Sequence, residues 1–220
     1  MLANYEEKLN EIKQSITDIG TGLVKSNTLI LEALKGCEQD KFNEAKIYIK
    51  NVSKKTSDID NNIITTLALH SPEARDLRNM VSYLKITNEL LRASTNTRSF
   101  IKDFADVCGE VDINTINEYA IPMQKSTVEA LENTLQMINI DCVDETQDCF
   151  NKVLIAENKT DDLYEMIETD LLKQSNDIGN FTQFHKMLSA LRKSEKIADR
   201  AMSIASLLLF AKVGGDIHQV

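Results

Sequence analysis

The chain has 220 residues, 42% of them apolar and 27% charged, with a formal net charge of −9. That balance is globular, and the acidity excludes nucleic acid as a partner, since its binders present clustered Lys and Arg. Only 7 Gly and 2 Pro interrupt the length, which predicts long helices and excludes a many-turned β fold.

The first helix is predicted from Tyr5 to Lys35, with Leu9, Ile12, Ile16, Ile19, Leu23, Ile30 and Leu34 at helical spacing and Gly36 as the C-terminal stop. The second runs from Lys41 to His70. The third starts at Ser71-Pro72-Glu73, read as a Ser cap, a Pro in the first helical position and an acid in the first turn. Its apolar stripe is Leu77, Met80, Val81, Leu84 and Leu91, and it ends near Cys108-Gly109. Asp112 is the expected cap of the fourth helix, which reaches Ile140 and is kinked or 3₁₀ near Pro122. The fifth covers Asp144 to Lys173. A loop, Ser175 to Asn180, leads to the sixth, from Phe181 to Lys212, which stops at Gly214-Gly215.

The six segments form two copies. A shift of 104 residues brings Leu9 onto Ile113, Ile12 onto Ile116, Val24 onto Val128, Leu31 onto Leu135 and Leu84 onto Leu188. Short loops make sequential helices antiparallel, so each copy is a three-helix bundle. The expected fold is all-α, with two tandem three-helix bundles side by side. One domain, 1–220, is divided into a first repeat at 1–109 and a second at 110–220.

The copies differ in their acids. Phe150, Leu154, Glu157, Asp161, Tyr164 and Glu168 follow one another at steps of three and four on the fifth helix, and Leu188, Leu191, Glu195, Asp199 and Met202 do so on the sixth. Residues four apart share a helix face, so each E-x-x-x-D pair aims its oxygens at one place. Glu157, Asp161, Glu195 and Asp199 are therefore the candidate metal ligands. The matching first-copy residues, Ser53, Ser57, Leu91 and Thr95, supply no carboxylate. Acids on an apolar stripe need a partner, because an unpaired buried charge costs several kcal/mol. Hard oxygen donors without His or Cys suit Mg²⁺, Mn²⁺, Ca²⁺ or iron; ion pairs with Lys196 and Arg200 are the alternative.

No catalytic constellation accompanies the acids. His70, His185 and His218 lie in separate segments, and the chain has no phosphate loop, nucleophile elbow or H-E-x-x-H run. Cys37, Cys108, Cys142 and Cys149 form no C-x-x-C, and are expected as reduced thiols without a disulfide. The N-terminal stretch is not a secretory signal, and the longest apolar run, Ile204 to Ala211, is too short to span a bilayer. A cytoplasmic protein without membrane insertion is expected.

Three stretches resemble motifs of a known family. Leu67-Ala68-Leu69-His70-Ser71-Pro72-Glu73-Ala74-Arg75-Asp76-Leu77-Arg78 is similar to the LA-x-x-x-P-x-A-x-DLR segment of PhoU proteins, with Leu84-Lys85-Ile86 following at the family distance. Glu195-Lys196-Ile197-Ala198-Asp199 resembles the family's ERIGD run, and Asp161-Asp162-Leu163-Tyr164 its VD-x-LY stretch, with Thr160 in place of Val. Leu91-Arg92-Ala93-Ser94-Thr95 stands where the first ERIGD would be.

The resemblance implies a non-catalytic cytoplasmic regulator of phosphate uptake and phosphate-starvation signalling. Its implied partners are the ATPase subunit of a phosphate ABC transporter, a sensor histidine kinase, or both, with a homodimer as a further expectation. It also implies a metal ion or cluster on the second repeat, iron or zinc foremost, with Mg, Mn and Ni compatible. The alternative is a divergent transporter-associated scaffold or a metal-buffering helical protein.

Overall fold

A computed structural model describes residues 2–70, 72–174 and 181–214, with side chains for 5–70, 72–170 and 184–214. Nearly every described residue is helical, and no strand occurs among them. The elements are α1 (Leu2–Leu34), α2 (Gln39–Tyr48), α3 (Val52–His70), α4 (Ala74–Ala105), α5 (Ile113–Thr115), a π-helical turn (Ile116–Ala120), α6 (Ile121–Asn139), α7 (Val143–Gln174) and α8 (Phe181–Val213). The first repeat comprises α1 to α4 and the second α5 to α8. They share one continuous core, because α4 packs along α8 and α1 against α6.

The stripe predicted for α1 is buried: Ile12, Ile16, Ile19, Leu23, Ile30 and Leu34 all lie in the core. On α4 the inward face is Met80, Tyr83, Ile86, Leu90, Phe100 and Phe104, so of the expected stripe Met80 is buried and Leu91 packs partly buried against the core. The other three residues of that stripe, Leu77, Val81 and Leu84, are exposed. Two apolar faces coexist on this helix, and periodicity alone does not say which one packs.

Several helix ends differ from expectation. The long second segment is broken after Tyr48, where Asn51 takes a left-handed conformation at φ 61°. Asn tolerates that region better than most residues. The freed Ile49 carbonyl accepts a 3.1 Å hydrogen bond from Arg98 Nη2. Beside the break α2 docks closely on α1: a Cβ on Gly22 would lie 2.7 Å from the Tyr48 carbonyl oxygen. At the end of α1 the left-handed residue is Cys37, at φ 52°, rather than Gly36. α4 begins at Ala74 with Glu73 as its cap residue, so Pro72 precedes the helix instead of occupying its first position. The expected Ser71 cap and the loop from Ser175 to Asn180 lie outside the described residues.

Asp112 does precede the fourth helical segment, but without a side-chain capping bond. The irregularity near Pro122 is a π-helical turn and not a 3₁₀ turn. Pro122 lacks the amide that the Glu118 carbonyl would meet four residues on, so the preceding turn widens. Gly214, at φ 77°, ends α8 as expected.

Cys37 and Cys108 are joined in a disulfide, which overturns the expectation of four reduced thiols. They stand 71 residues apart in sequence and meet because α1 and α4 end at the same place. Cys142 and Cys149 are free. No helix among the described residues is long and apolar enough to cross a membrane.

Candidate metal centre

The four sequence-predicted acids lie where α7 and α8 run side by side. Glu157, Asp161 and Asp199 each offer a carboxylate oxygen within 4.8 Å of the other two. Glu195 stands one helical turn before Asp199 and is coupled electrostatically to both acids of α7. It belongs to the site's charge without joining this three-oxygen group.

The acids do not all face the core. The inward face of α7 is Phe150, Val153, Ala156 and Ile167, while Glu157 is half-buried and Asp161 exposed. The centre therefore sits at the surface seam of two helices. Glu195 alone is deeply placed, at 8% exposure.

The two helices treat their acids differently. On α8, Lys196 Nζ lies 3.0 Å from Glu195 Oε1 and 2.9 Å from Asp199 Oδ2, and Arg200 Nη2 lies 3.5 Å from the same Asp199 oxygen. The predicted ion pairs with Lys196 and Arg200 thus form. On α7, no cation among the described residues lies within ion-pairing distance of Glu157 or Asp161. Burial, then the neighbouring Asp161, Asp199 and Glu195 carboxylates, pushes the Glu157 carboxyl above its ordinary range. Burial followed by Glu195 and Asp199 does the same for Asp161, partly offset by Lys196. Like charges facing one another disfavour ionisation.

One polar atom of the site lacks a hydrogen bond while keeping an ion pair. Glu195 Oε2 is buried and accepts no hydrogen bond among the described residues. Arg192 Nε lies 3.3 Å from it, outside hydrogen-bonding geometry, while the Arg192 guanidinium stacks 4.9 Å from the Tyr164 ring centre. The three converging oxygens, with the Glu195 charge near them, fit a hard cation. All the donors are oxygens, as Mg²⁺, Mn²⁺ or iron prefer, whereas structural zinc favours nitrogen and sulfur. A bound cation would neutralise the repulsion on α7 and join it to α8.

Sequence reasoning missed the polar network beneath this seam. Gln124 Nε2 donates to the Asn27 main-chain oxygen at 3.1 Å and to its Oδ1 at 3.0 Å, while Asn27 Nδ2 donates to Thr97 Oγ1 at 3.2 Å. Ser194 Oγ donates to Gln124 Oε1 at 2.8 Å and lies 2.9 Å from Thr127 Oγ1. These five buried residues come from α1, α4, α6 and α8, and Ser194 directly precedes Glu195. Only the presence of Asn27 and Gln124 inside apolar periodic stretches could have announced them.

The fold and seam define a class: a duplicated three-helix bundle with an acidic cluster on one repeat. Solved structures place it more narrowly. The PhoU structure from Pseudomonas aeruginosa superposes with a TM-score of 0.84 over 96% of this chain and 100% of that one, at 18% identity. The phosphate transport system regulatory protein PhoU from Streptococcus pneumoniae gives a TM-score of 0.74 over 96% and 98%, at 20% identity. A PhoU-like phosphate regulatory protein from Shewanella oneidensis gives 0.64 over 90% and 97%, at 14% identity. The chain thus has a PhoU-like all-α fold over nearly its whole length. No family model and no curated protein sequence matches it.

Proposed function

We propose that this protein is a non-catalytic regulator of phosphate uptake and of the phosphate-starvation response, bearing one carboxylate metal centre. The observation that carries the reading is the likeness to two PhoU structures across 96% of the chain. The second repeat adds to it the acids that the motif resemblance picks out, with three of them drawn together at the α7/α8 seam.

Regulation in this reading works by contact with the ATPase subunit of a phosphate transporter, a sensor histidine kinase, or both, in the cytoplasm. The apolar strip of Leu77, Val81 and Leu84 on α4 supplies a surface for such contact. Glu157, Asp161 and Asp199 would hold the cation, with Glu195 supplying further negative charge. The metal would act structurally, fixing α7 against α8. A reducing compartment would hold Cys37 and Cys108 as thiols, so the disulfide becomes a state that the redox poise selects.

The deciding experiment deletes the gene and follows phosphate uptake and phosphate-starvation reporter output in phosphate-replete cells. The deletion should derepress the reporter, and the wild-type chain should restore repression. A chain carrying Leu77→Lys and Leu84→Lys should fold and fail to restore it. Unchanged uptake and reporter output on deletion would refute the role.

A further inference from the structure

The first repeat carries its own site at the position equivalent to the metal centre, with the charge reversed. An open cleft of about 560 Å³ lies between the α2–α3 junction and α4, and Ser53, Leu91 and Thr95 line it. Under the 104-residue shift those three correspond to Glu157, Glu195 and Asp199. The same cleft is lined by Lys46, Lys50 and Arg98, whose counterparts are Phe150, Leu154 and Met202. Three carboxylates are thus absent and three cations present in one place, on a chain whose net charge is −9. Among the described residues no carboxylate lines the cleft.

One donor there is positioned, Arg98, whereas Lys46 Nζ donates to Asn43 Oδ1 at 3.1 Å and would turn from it to reach a ligand. Arg98 is held over the helix break by its bond to the Ile49 carbonyl, and a guanidinium has five N–H groups, so others remain for a ligand. Val52 and Ser53, the first residues of the 19-residue α3, line the same cleft. First-turn amides have no partner within their own helix and favour negative charge. In the second repeat α7 runs unbroken past the equivalent positions, so no helix start exists there.

We propose that this cleft binds a small tetrahedral oxyanion of the phosphate class, held by Lys46, Lys50 and Arg98 with the hydroxyls of Ser53 and Thr95 beside it. The two repeats then divide the labour, with an anion on the first and a cation on the second. This assignment stands independently of the regulatory role, and binding by the purified protein tests it alone.

The experiment is calorimetric titration of the full chain with inorganic phosphate, repeated with sulfate and with chloride at matched ionic strength. Phosphate should bind at one site and chloride should not. Lys46→Gln with Lys50→Gln should weaken phosphate by about tenfold or more, since charge-assisted bonds are the strong ones. Ser53→Glu, which returns a carboxylate to the cleft, should abolish binding while leaving the helical circular dichroism spectrum unchanged. Glu157→Gln with Asp199→Asn should leave phosphate affinity unaltered, separating this cleft from an anion carried on the metal. Absence of phosphate binding, equal heats for all three salts, or unchanged affinity in the lysine variant would overturn the proposal.

Discussion

Arg200 and Glu89 join the two repeats through the guanidinium of one and the carboxylate of the other, 3.0 Å apart, with both side chains less than one-fifth exposed. Arg200 also reaches toward Asp199, so the inter-repeat pair and the acidic seam share one cation. Glu89 has a second, looser partner in Arg92 at 3.4 Å. A double-mutant cycle with Glu89→Gln and Arg200→Gln should give a coupling energy of about 1–2 kcal/mol by urea unfolding. Arg200→Gln alone should also tighten metal binding, because it removes a competitor from Asp199. Additive effects, with no change in metal affinity, would show that the two contacts are independent.

The buried network should be costly to interrupt. Gln124 touches Asn27 and Ser194 at once, so Gln124→Leu orphans groups on two helices. An unsatisfied buried polar group costs about 1–3 kcal/mol, and the variant should lose at least that in chemical denaturation. A loss confined to a few tenths would mean that water replaces the missing amide.

Acidity should affect the metal-free and metal-bound protein in opposite ways. Glu157 and Asp161 hold their protons more tightly in the fold than their ordinary values of 4.5 and 3.8. The folded state therefore binds more protons in the window just above those values. Their contribution is fully present below the ordinary values and is lost as pH rises through the folded ones. In chelator, the melting temperature should gain from acidification through that window, and Glu157→Gln with Asp161→Asn should flatten the gain. With iron, manganese or magnesium added, the metal-dependent increment should instead grow with pH, as protons cease to compete. Identical melting curves with and without every metal would leave the acids as solvated charges and ion pairs.

Reduction should be felt in stability. The Cys37–Cys108 bond closes a 71-residue separation, and such cross-links are worth about 2–4 kcal/mol. Dithiothreitol should lower the urea midpoint of the wild-type chain, and Cys37→Ser should reproduce the lower value and abolish the reductant effect. Cys142→Ser should change neither, since Cys142 is free and exposed.

The helices were legible because apolar spacing repeats over 30 residues at a time, and the duplication was legible because the shift needs no gap. The acids were legible through chemistry, as carboxylates standing on periodic faces. What escaped was set by tertiary contact. Leu77 and Met80 stand on one apolar stripe of α4, and only packing against the rest of the bundle buries one and leaves the other exposed. The break at Asn51 depends on Gly22 admitting the Tyr48 carbonyl and on Arg98 donating to the freed Ile49 carbonyl. The disulfide depends on two helix ends meeting, which the cysteine spacing does not encode. Glu195 is buried while Asp161 is exposed, a difference set by how α7 and α8 pack and absent from the spacing of either helix.

The bond between Cys37 and Cys108 also makes residues 37–108, which carry α2 to α4, a closed covalent loop, from which the chain leaves at one end into α1 and at the other into the second repeat. A single peptide cleavage at the Asn51 junction would therefore release no fragment. The nicked protein would migrate as one band without reductant and as two with it. That difference gives limited proteolysis a direct reading of the oxidation state of the pair, from cell extracts as well as from purified protein.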